Sequence, residues 1–230
     1  MPLSALSNRT VVITGGFGVL AHAVATAALT ASARVALIDR GPAPSNIDPA
    51  LLTIANTDLA SSEVTRRAFA KVEKEFGPID ALLNLAGAFR QFTVAENSCD
   101  LWLDLYYDNV LTAVNACRTA LPLLQPGAAI VNIAAAAARR GAPGMAAYAA
   151  AKSGVLRLTE SLAEELRPSG IRVYSVSPTI IDTPRNRKDM PEADTGTWVA
   201  PEAVARTILA LVSDATVAKS GTDVLVGATP

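Results

Sequence analysis

A doubly wound α/β domain, one parallel sheet with helices on both faces, is the fold class this sequence predicts. Three observations predict it. Apolar runs of strand length alternate with alanine- and leucine-rich stretches of helical length along the whole chain. The first apolar run, Val11-Val12-Ile13, is unbroken rather than alternating, as a strand buried on both faces requires. It runs straight into Gly15, Gly16 and Gly18 and then a helix-forming segment, which together make an anion site. Amide N–H groups and the positive end of the helix dipole face whatever binds there, and missing Cβ atoms let a pyrophosphate approach the backbone.

The elements follow in order. Residues 19–31 form the helix after the turn, and residues 34–39 a second apolar strand that ends in an acid, Asp39. Residues 41–49 contain Pro42, Pro44 and Pro49 and read as a loop; residues 51–54 make a short third strand, followed by Asp58. Val64, Ala68, Val72 and Phe76 recur at helical spacing across residues 61–76, and Gly77-Pro78 stops that helix. Residues 80–85 are a fourth strand leading into Asn84-Leu85-Ala86-Gly87. A long helix over residues 101–124 carries Pro122 near its end, or kinked by it, and residues 129–134 are a fifth strand. Residues 146–167 form a second long helix closed by Pro168 and Gly170. Residues 171–176 are a sixth strand, 201–212 a helix and 224–226 a last short strand. With no linker or internal repeat, one domain over residues 1–230 is expected. Right-handed crossovers put the chemistry at the carboxyl ends of the strands.

Composition narrows the partners. Half of the residues are hydrophobic, the net charge is −1 and no basic run occurs, which argues against a nucleic-acid surface. No apolar run is long enough to span a membrane, and the N-terminus lacks the pattern of a secretory leader, so a cytoplasmic protein is expected. Cys99 and Cys117 show no metal-ligand spacing; two buried free thiols and no metal are expected.

Asp39 lies eighteen residues past Ala21 of the Gly15-x-x-Gly18-x-x-Ala21 turn. A carboxylate there accepts hydrogen bonds from the adenosine ribose and repels a 2′-phosphate, which favours NAD. Arg40 beside it keeps NADP open, since a guanidinium there is able to hold that phosphate.

The sharpest chemical feature is Tyr148-Ala-Ala-Ala-Lys152. Residues four apart share a helix face, so phenol and ammonium point into one site. A free tyrosine, with a pKa of about 10, is a poor proton donor at neutral pH. A neighbouring ammonium favours the phenolate, so a lowered tyrosine pKa is expected.

Over essentially its whole length the chain resembles the short-chain dehydrogenase/reductase family. The resemblance rests on Thr14-Gly15-x-x-Gly18, Asp39, Asp58, Asn84-x-Ala86-Gly87, Asn109, Tyr148-x-x-x-Lys152 and Pro178. It implies a single-domain Rossmann-type fold and hydride transfer from a nicotinamide, with Tyr148 delivering the proton. Lys152 would hold the nicotinamide ribose and depress the tyrosine pKa, and Asn109 would anchor a water-linked relay. The implied cofactor lining is Gly15, Gly16, Phe17, Gly18, Val19, Leu20, Asp39, Arg40, Asp58, Leu59, Asn84, Ala86, Gly87, Lys152, Pro178 and Thr183.

Two departures bear on the substrate. Val19 and Ala21 stand where the family's turn carries glycine, and Ala135 stands where its catalytic serine lies, thirteen residues before the tyrosine. No Ser or Thr occurs between Asn132 and Tyr148. A further resemblance, to the quinoid dihydropteridine reductases, accommodates both. It rests on Gly15-Gly16-x-Gly18-x-Leu20, on Ala135, on Trp102, on residues 141–148 and on residues 182–194 with Trp198 following. It implies a small-molecule substrate that is a quinonoid dihydropterin or similar conjugated heterocycle, bordered by Ala135, Met190 and Trp198. Residues 183–198 are then expected to form a lid. A general carbonyl or alcohol oxidoreductase is the alternative, and a nucleotide-binding sensor without turnover is a third. The intact Tyr148 and Lys152 argue against the sensor. The two long helices, by the same family likeness, imply a homodimer or homotetramer.

Overall fold

The structure, a computed structural model, describes residues 6–96, 98–213 and 216–227. The strands are β1 (Thr10–Thr14), β2 (Arg34–Ile38), β3 (Leu52–Ile54), β4 (Ile79–Asn84), β5 (Leu124–Ile133), β6 (Arg172–Pro178) and β7 (Asp223–Val226). All pair in parallel in the order β3-β2-β1-β4-β5-β6-β7. The order reverses beside β1, between its neighbours β2 and β4, and that reversal opens a crevice at the carboxyl ends of the strands.

The unbroken apolar runs are explained by two separate cores, one on each face of the sheet. Val11 and Ile13 enter one cluster and Val12 the other. Val35 and Leu37 alternate with Ala36 and Ile38 in the same way, as do Ala129 and Val131 with Ile130. Side chains alternate between faces along a strand, so two covered faces require apolar residues at every position.

Helix α1 (Val19–Thr30) and helix α7 (Pro201–Val212) cover the first face. The alanines Ala21, Ala25 and Ala28 let α1 lie close on the sheet. Helix α2 (Ser62–Phe76), α3 (Cys99–Tyr106), α4 (Thr112–Ala120) and α5 (Ala146–Glu165) lie on the other side. Ser61 caps α2 through its hydroxyl, and Gly77, at φ 73°, ends it.

The expected helix over residues 101–124 is corrected in three ways. It begins at Cys99, it contains a π-helical turn over Tyr107–Leu111, and it gives way after Ala120 to a 3-10 turn over Leu121–Leu123. Pro122 lacks the amide hydrogen to continue the helix, and Leu124 is already in β5. A short helix, α6 (Pro184–Asp189), was not expected, although Thr183 at its N-cap and Pro184 in its first turn are local signals for one. Cys117 is buried as expected, whereas Cys99, at the first turn of α3, is exposed. Among the described residues no helix is long and apolar enough to cross a membrane.

A buried polar chain ties the middle of the sheet to two helices. Asn84 and Asn132 are register partners on β4 and β5, and the Asn84 amide donates to Asn132 Oδ1 at 2.8 Å and to Cys117 Sγ at 3.2 Å. Asn132 donates in turn to Thr159 Oγ1 at 2.9 Å on α5. Burial pushes the Cys117 thiol up to about 12, so it stays protonated.

Candidate active site

The glycine turn sits where the crevice opens, and its three glycines do different work. Gly15 has φ 65°, and a Cβ there would lie 2.8 Å from the Ala86 backbone. At Gly16 a Cβ would lie 2.7 Å from Leu37 Cβ. Both positions are glycine because neighbouring chain passes too close, whether or not anything binds. Gly18 differs: a Cβ would meet only the Gly15 carbonyl, at 3.4 Å, and the residue is exposed.

Gly18 is also the N-cap of α1, which has no side-chain cap and no acid in its first turn. The first amides of α1 therefore face outward without a side-chain acceptor. The cradle fits a pyrophosphate, since the protein's own atoms neither fill it nor neutralise it. Phe17, Val19 and Leu20 border it on the same loop and first turn. Gly16→Ala is expected to cost about 1–3 kcal/mol of stability through its clash with Leu37, read as a lower urea midpoint at unchanged slope. Gly18→Ala is expected to weaken nucleotide binding and to leave that midpoint near wild type.

Asp39 stands at the end of β2. Its carboxylate accepts from the Phe17 amide at 3.1 Å and the Gly41 amide at 2.8 Å, so it braces the glycine turn as well as facing the crevice. Arg40 reaches across to Asp108 at 3.0 Å. Asp39, Arg40, Asp58, Leu59, Thr57, Gly15, Ala86, Gly87, Asp108 and Thr112 line one hollow of about 90 Å³. Asp58 accepts from the Ala60 amide, whereas the Leu59 side chain is buried in the core and its carbonyl accepts from Asn115. Asn84 also departs from expectation: its side chain turns into the protein toward Asn132 and Cys117 rather than to the crevice, being drawn there by partners on β5 and α4.

Tyr148 and Lys152 lie on the first turns of α5, on one face as the spacing predicts. The Lys152 ammonium donates to the Ile133 carbonyl at 2.8 Å and stands 5.9 Å from the centre of the Tyr148 ring. Phe89 meets the same ring edge-on, with centroids 4.9 Å apart. The loop carrying Phe89 is held there by the Phe92 amide, which donates to the Gly144 carbonyl at 2.9 Å.

Burial governs both titrations. Lys152 is pushed down to about 8, and Tyr148 is pushed up to about 12. The expected lowering of the tyrosine is thus corrected for the nucleotide-free chain: burial raises the phenol, and the ammonium donates to the Ile133 carbonyl.

Asn109 lies in the π-helical turn, 1 % exposed. Its amide donates to the carbonyls of Ala88 and Leu105, both at 2.9 Å, and its Oδ1 accepts from the Ala88 amide at 3.3 Å. It therefore fastens the loop after β4 to the helix. Gly87 makes the approach possible, since a Cβ there would lie 2.6 Å from Asn109 Oδ1 and 3.3 Å from Lys152 Nζ. A π-helical turn of this kind is concentrated at functional sites.

Ala135 caps a 3-10 turn over Ala136–Ala138 and is buried. Its methyl offers no hydrogen bond. Ser153, the hydroxyl nearest in sequence after Tyr148, donates to the Ala138 carbonyl at 3.0 Å. Pro178 ends β6, in register with Val226. Thr183 follows, and its hydroxyl accepts from the Asn186 amide to start α6.

The segment expected as a lid is an ordered excursion pinned at its base, where Ile181 bridges Val199 in parallel. Met190 ends α6 and Trp198 follows a 3-10 turn, both half-buried. Arg187 is held by Asp182 at 2.6 Å, which draws Asp182 below the usual carboxylate range. His22 is exposed on α1. Among the described residues no three His, Cys, Asp or Glu side chains gather as a metal site.

Sequence reasoning missed Phe89 beside Tyr148 and, in the hollow, Thr57, Asp108 and Thr112. Phe89 had a signal, an aromatic two residues past Gly87 at a strand's carboxyl end. Asp108 had none, since the fold alone brings it opposite Arg40.

Residues 9–194 match the family model described as short chain dehydrogenase. The chain is 30% identical to the D-threitol dehydrogenase of Mycolicibacterium smegmatis, over 96% of this chain and 92% of that one. It is 32% identical to a 3-oxoacyl-[acyl-carrier-protein] reductase of Thermotoga maritima, over 74% and 72%. A solved short-chain dehydrogenase/reductase of Brucella melitensis, titled glucose/ribitol dehydrogenase, superimposes with a TM-score of 0.90 at 30% identity, covering 96% of both chains. The match of the family model over residues 9–194 and these identities over most of each chain lead to one conclusion: the chain belongs to the short-chain dehydrogenase/reductase family, whose members are NAD(P)-dependent oxidoreductases.

Proposed function

We propose that this chain is an NADH-dependent reductase of conjugated planar substrates, a quinonoid dihydropterin or a comparable heterocycle, with Tyr148 as proton donor. The observation that carries this reading is Ala135, a buried methyl where a carbonyl-gripping hydroxyl is otherwise expected. A simple ketone concentrates negative charge on one oxygen as it is reduced, and losing a donor to that oxygen costs about 2.7–4 kcal/mol of transition-state stabilisation. A conjugated imine spreads the charge over the ring system, so one proton donor suffices. The exposed Phe89, edge-on to Tyr148, supplies an aromatic wall suited to a flat ring.

A bound nicotinamide supplies the hydride. The chain's own residues do the rest. The α1 amides and Gly18 hold the pyrophosphate, and Asp39 reads the ribose, which favours NAD. Tyr148 gives its proton at Oη, and Lys152, anchored on the Ile133 carbonyl, would hold the nicotinamide ribose. Asn109 keeps the loop of Gly87 and Ala88 in place beneath them. Met190 and Trp198 border the substrate end from the excursion after β6. A homodimer or homotetramer belongs to the same proposal, and the half-exposed Leu103, Tyr106 and Tyr107 on the α3 side support it.

The similarity to D-threitol dehydrogenase over nearly the full chain favours a second reading, a carbonyl or alcohol oxidoreductase. One experiment separates the two. NADH oxidation is followed with quinonoid dihydropterin and with a panel of ketones, for the wild type and for Ala135→Ser. The first reading expects turnover of the pterin by the wild type and at most a small gain on ketones in the variant. A gain of about 10²-fold on ketones, with no pterin turnover, would establish the second.

A further inference from the structure

We infer that Asp108 sets the nucleotide preference of the crevice, by drawing Arg40 away from the position in which it would hold a 2′-phosphate. This rests on the proposed binding of NADH. Asp39 is fixed on the turn by the Phe17 and Gly41 amides, so the ribose end of the site is defined by a carboxylate that does not swing. Arg40 is the next residue, and its planar, bidentate guanidinium is the group best fitted to a phosphate.

Its Nη1 instead donates to Asp108 Oδ1 at 3.0 Å, on the opposite wall of the hollow. The Arg40 side chain is 68% exposed and that of Asp108 22%, so the pair spans the mouth rather than the core. An exposed pair of this kind adds little to stability. Its consequence is positional and electrostatic. Arg40 is the one cation among the described residues that line the hollow, against Asp39, Asp58 and Asp108. With Arg40 neutralised, the added charge of a 2′-phosphate meets uncompensated carboxylates.

Neutralising Asp108 therefore releases the guanidinium and removes one repelling charge. The test measures dissociation constants for NADH and NADPH by fluorescence titration at low salt, on the wild type, Asp108→Asn, Asp108→Glu and Asp108→Asn/Arg40→Ala. The ratio of the NADPH to the NADH constant is expected to fall about five- to tenfold in Asp108→Asn. Asp108→Glu is expected to keep the wild-type ratio. Adding Arg40→Ala to Asp108→Asn is expected to reverse most of the fall.

A ratio within twofold of wild type in Asp108→Asn overturns the inference. So does a fall that survives removal of Arg40, which would make Asp108 a repelling charge and no more. Binding of NADH by the wild type keeps these outcomes separate from the cofactor reading. Binding of neither nucleotide would overturn that reading and the inference together.

Discussion

Tyr148→Phe is expected to lower turnover by about 10²- to 10⁴-fold while leaving nucleotide affinity and the urea midpoint near those of the wild type. The substitution removes one oxygen and keeps the ring, so the edge-on contact with Phe89 persists. What is lost is the phenolic proton that the first turns of α5 present to the crevice. In the proposed reading, binding of NADH draws on the glycine turn and Asp39 and does not need the phenol. Steady-state kinetics beside nucleotide titration make the comparison. Turnover within a few fold of wild type would remove Tyr148 from the reaction.

Lys152→Met is expected to act on catalysis and on stability in opposite directions. Turnover is expected to fall by at least about 10²-fold, because the variant takes away the ammonium that stands 5.9 Å from the centre of the Tyr148 ring. Stability is expected to rise at neutral pH, for a reason that the titration makes explicit. In the folded nucleotide-free chain Lys152 is pushed down to about 8 by burial, against an ordinary value of 10.5 in the unfolded chain. Between those two values the unfolded chain binds more protons, so stability increases with pH across that window and the full cost of the buried ammonium is present below it. The interval corresponds to about 3 kcal/mol for a fully buried group.

Tyr148 has the opposite sign. Its folded value, about 12, lies above the ordinary 10, so from pH 10 upward stability declines. The wild type is therefore expected to gain stability from pH 8 to about 10 and then to level or fall. Urea midpoints of the nucleotide-free protein at pH 7, 8, 9 and 10 test this. Lys152→Met should flatten the rise, and an undiminished slope in that variant would assign it to another group.

How much of this was legible beforehand differs residue by residue. The strands were, because a buried parallel strand needs apolar side chains at every position, and no other element writes that pattern so compactly. The Tyr148–Lys152 face was, because helical spacing is a local property. The π-helical turn around Asn109 left no mark in a stretch whose composition suits an ordinary helix. The glycines were legible as a turn, yet only Leu37 and Ala86 show that Gly15 and Gly16 serve packing and Gly18 alone leaves the cradle open.

Local pattern by itself determined the order of elements, the two-sided sheet and the residue types at the crevice, since each depends on neighbours a few positions away. Only the tertiary structure decided which way Lys152 and Tyr148 titrate and what Arg40 is paired with. Burial and ion pairing depend on groups that are distant in the chain, and only folding brings Phe89 and Ile133 against the Tyr148–Lys152 pair and Asp108 against Arg40.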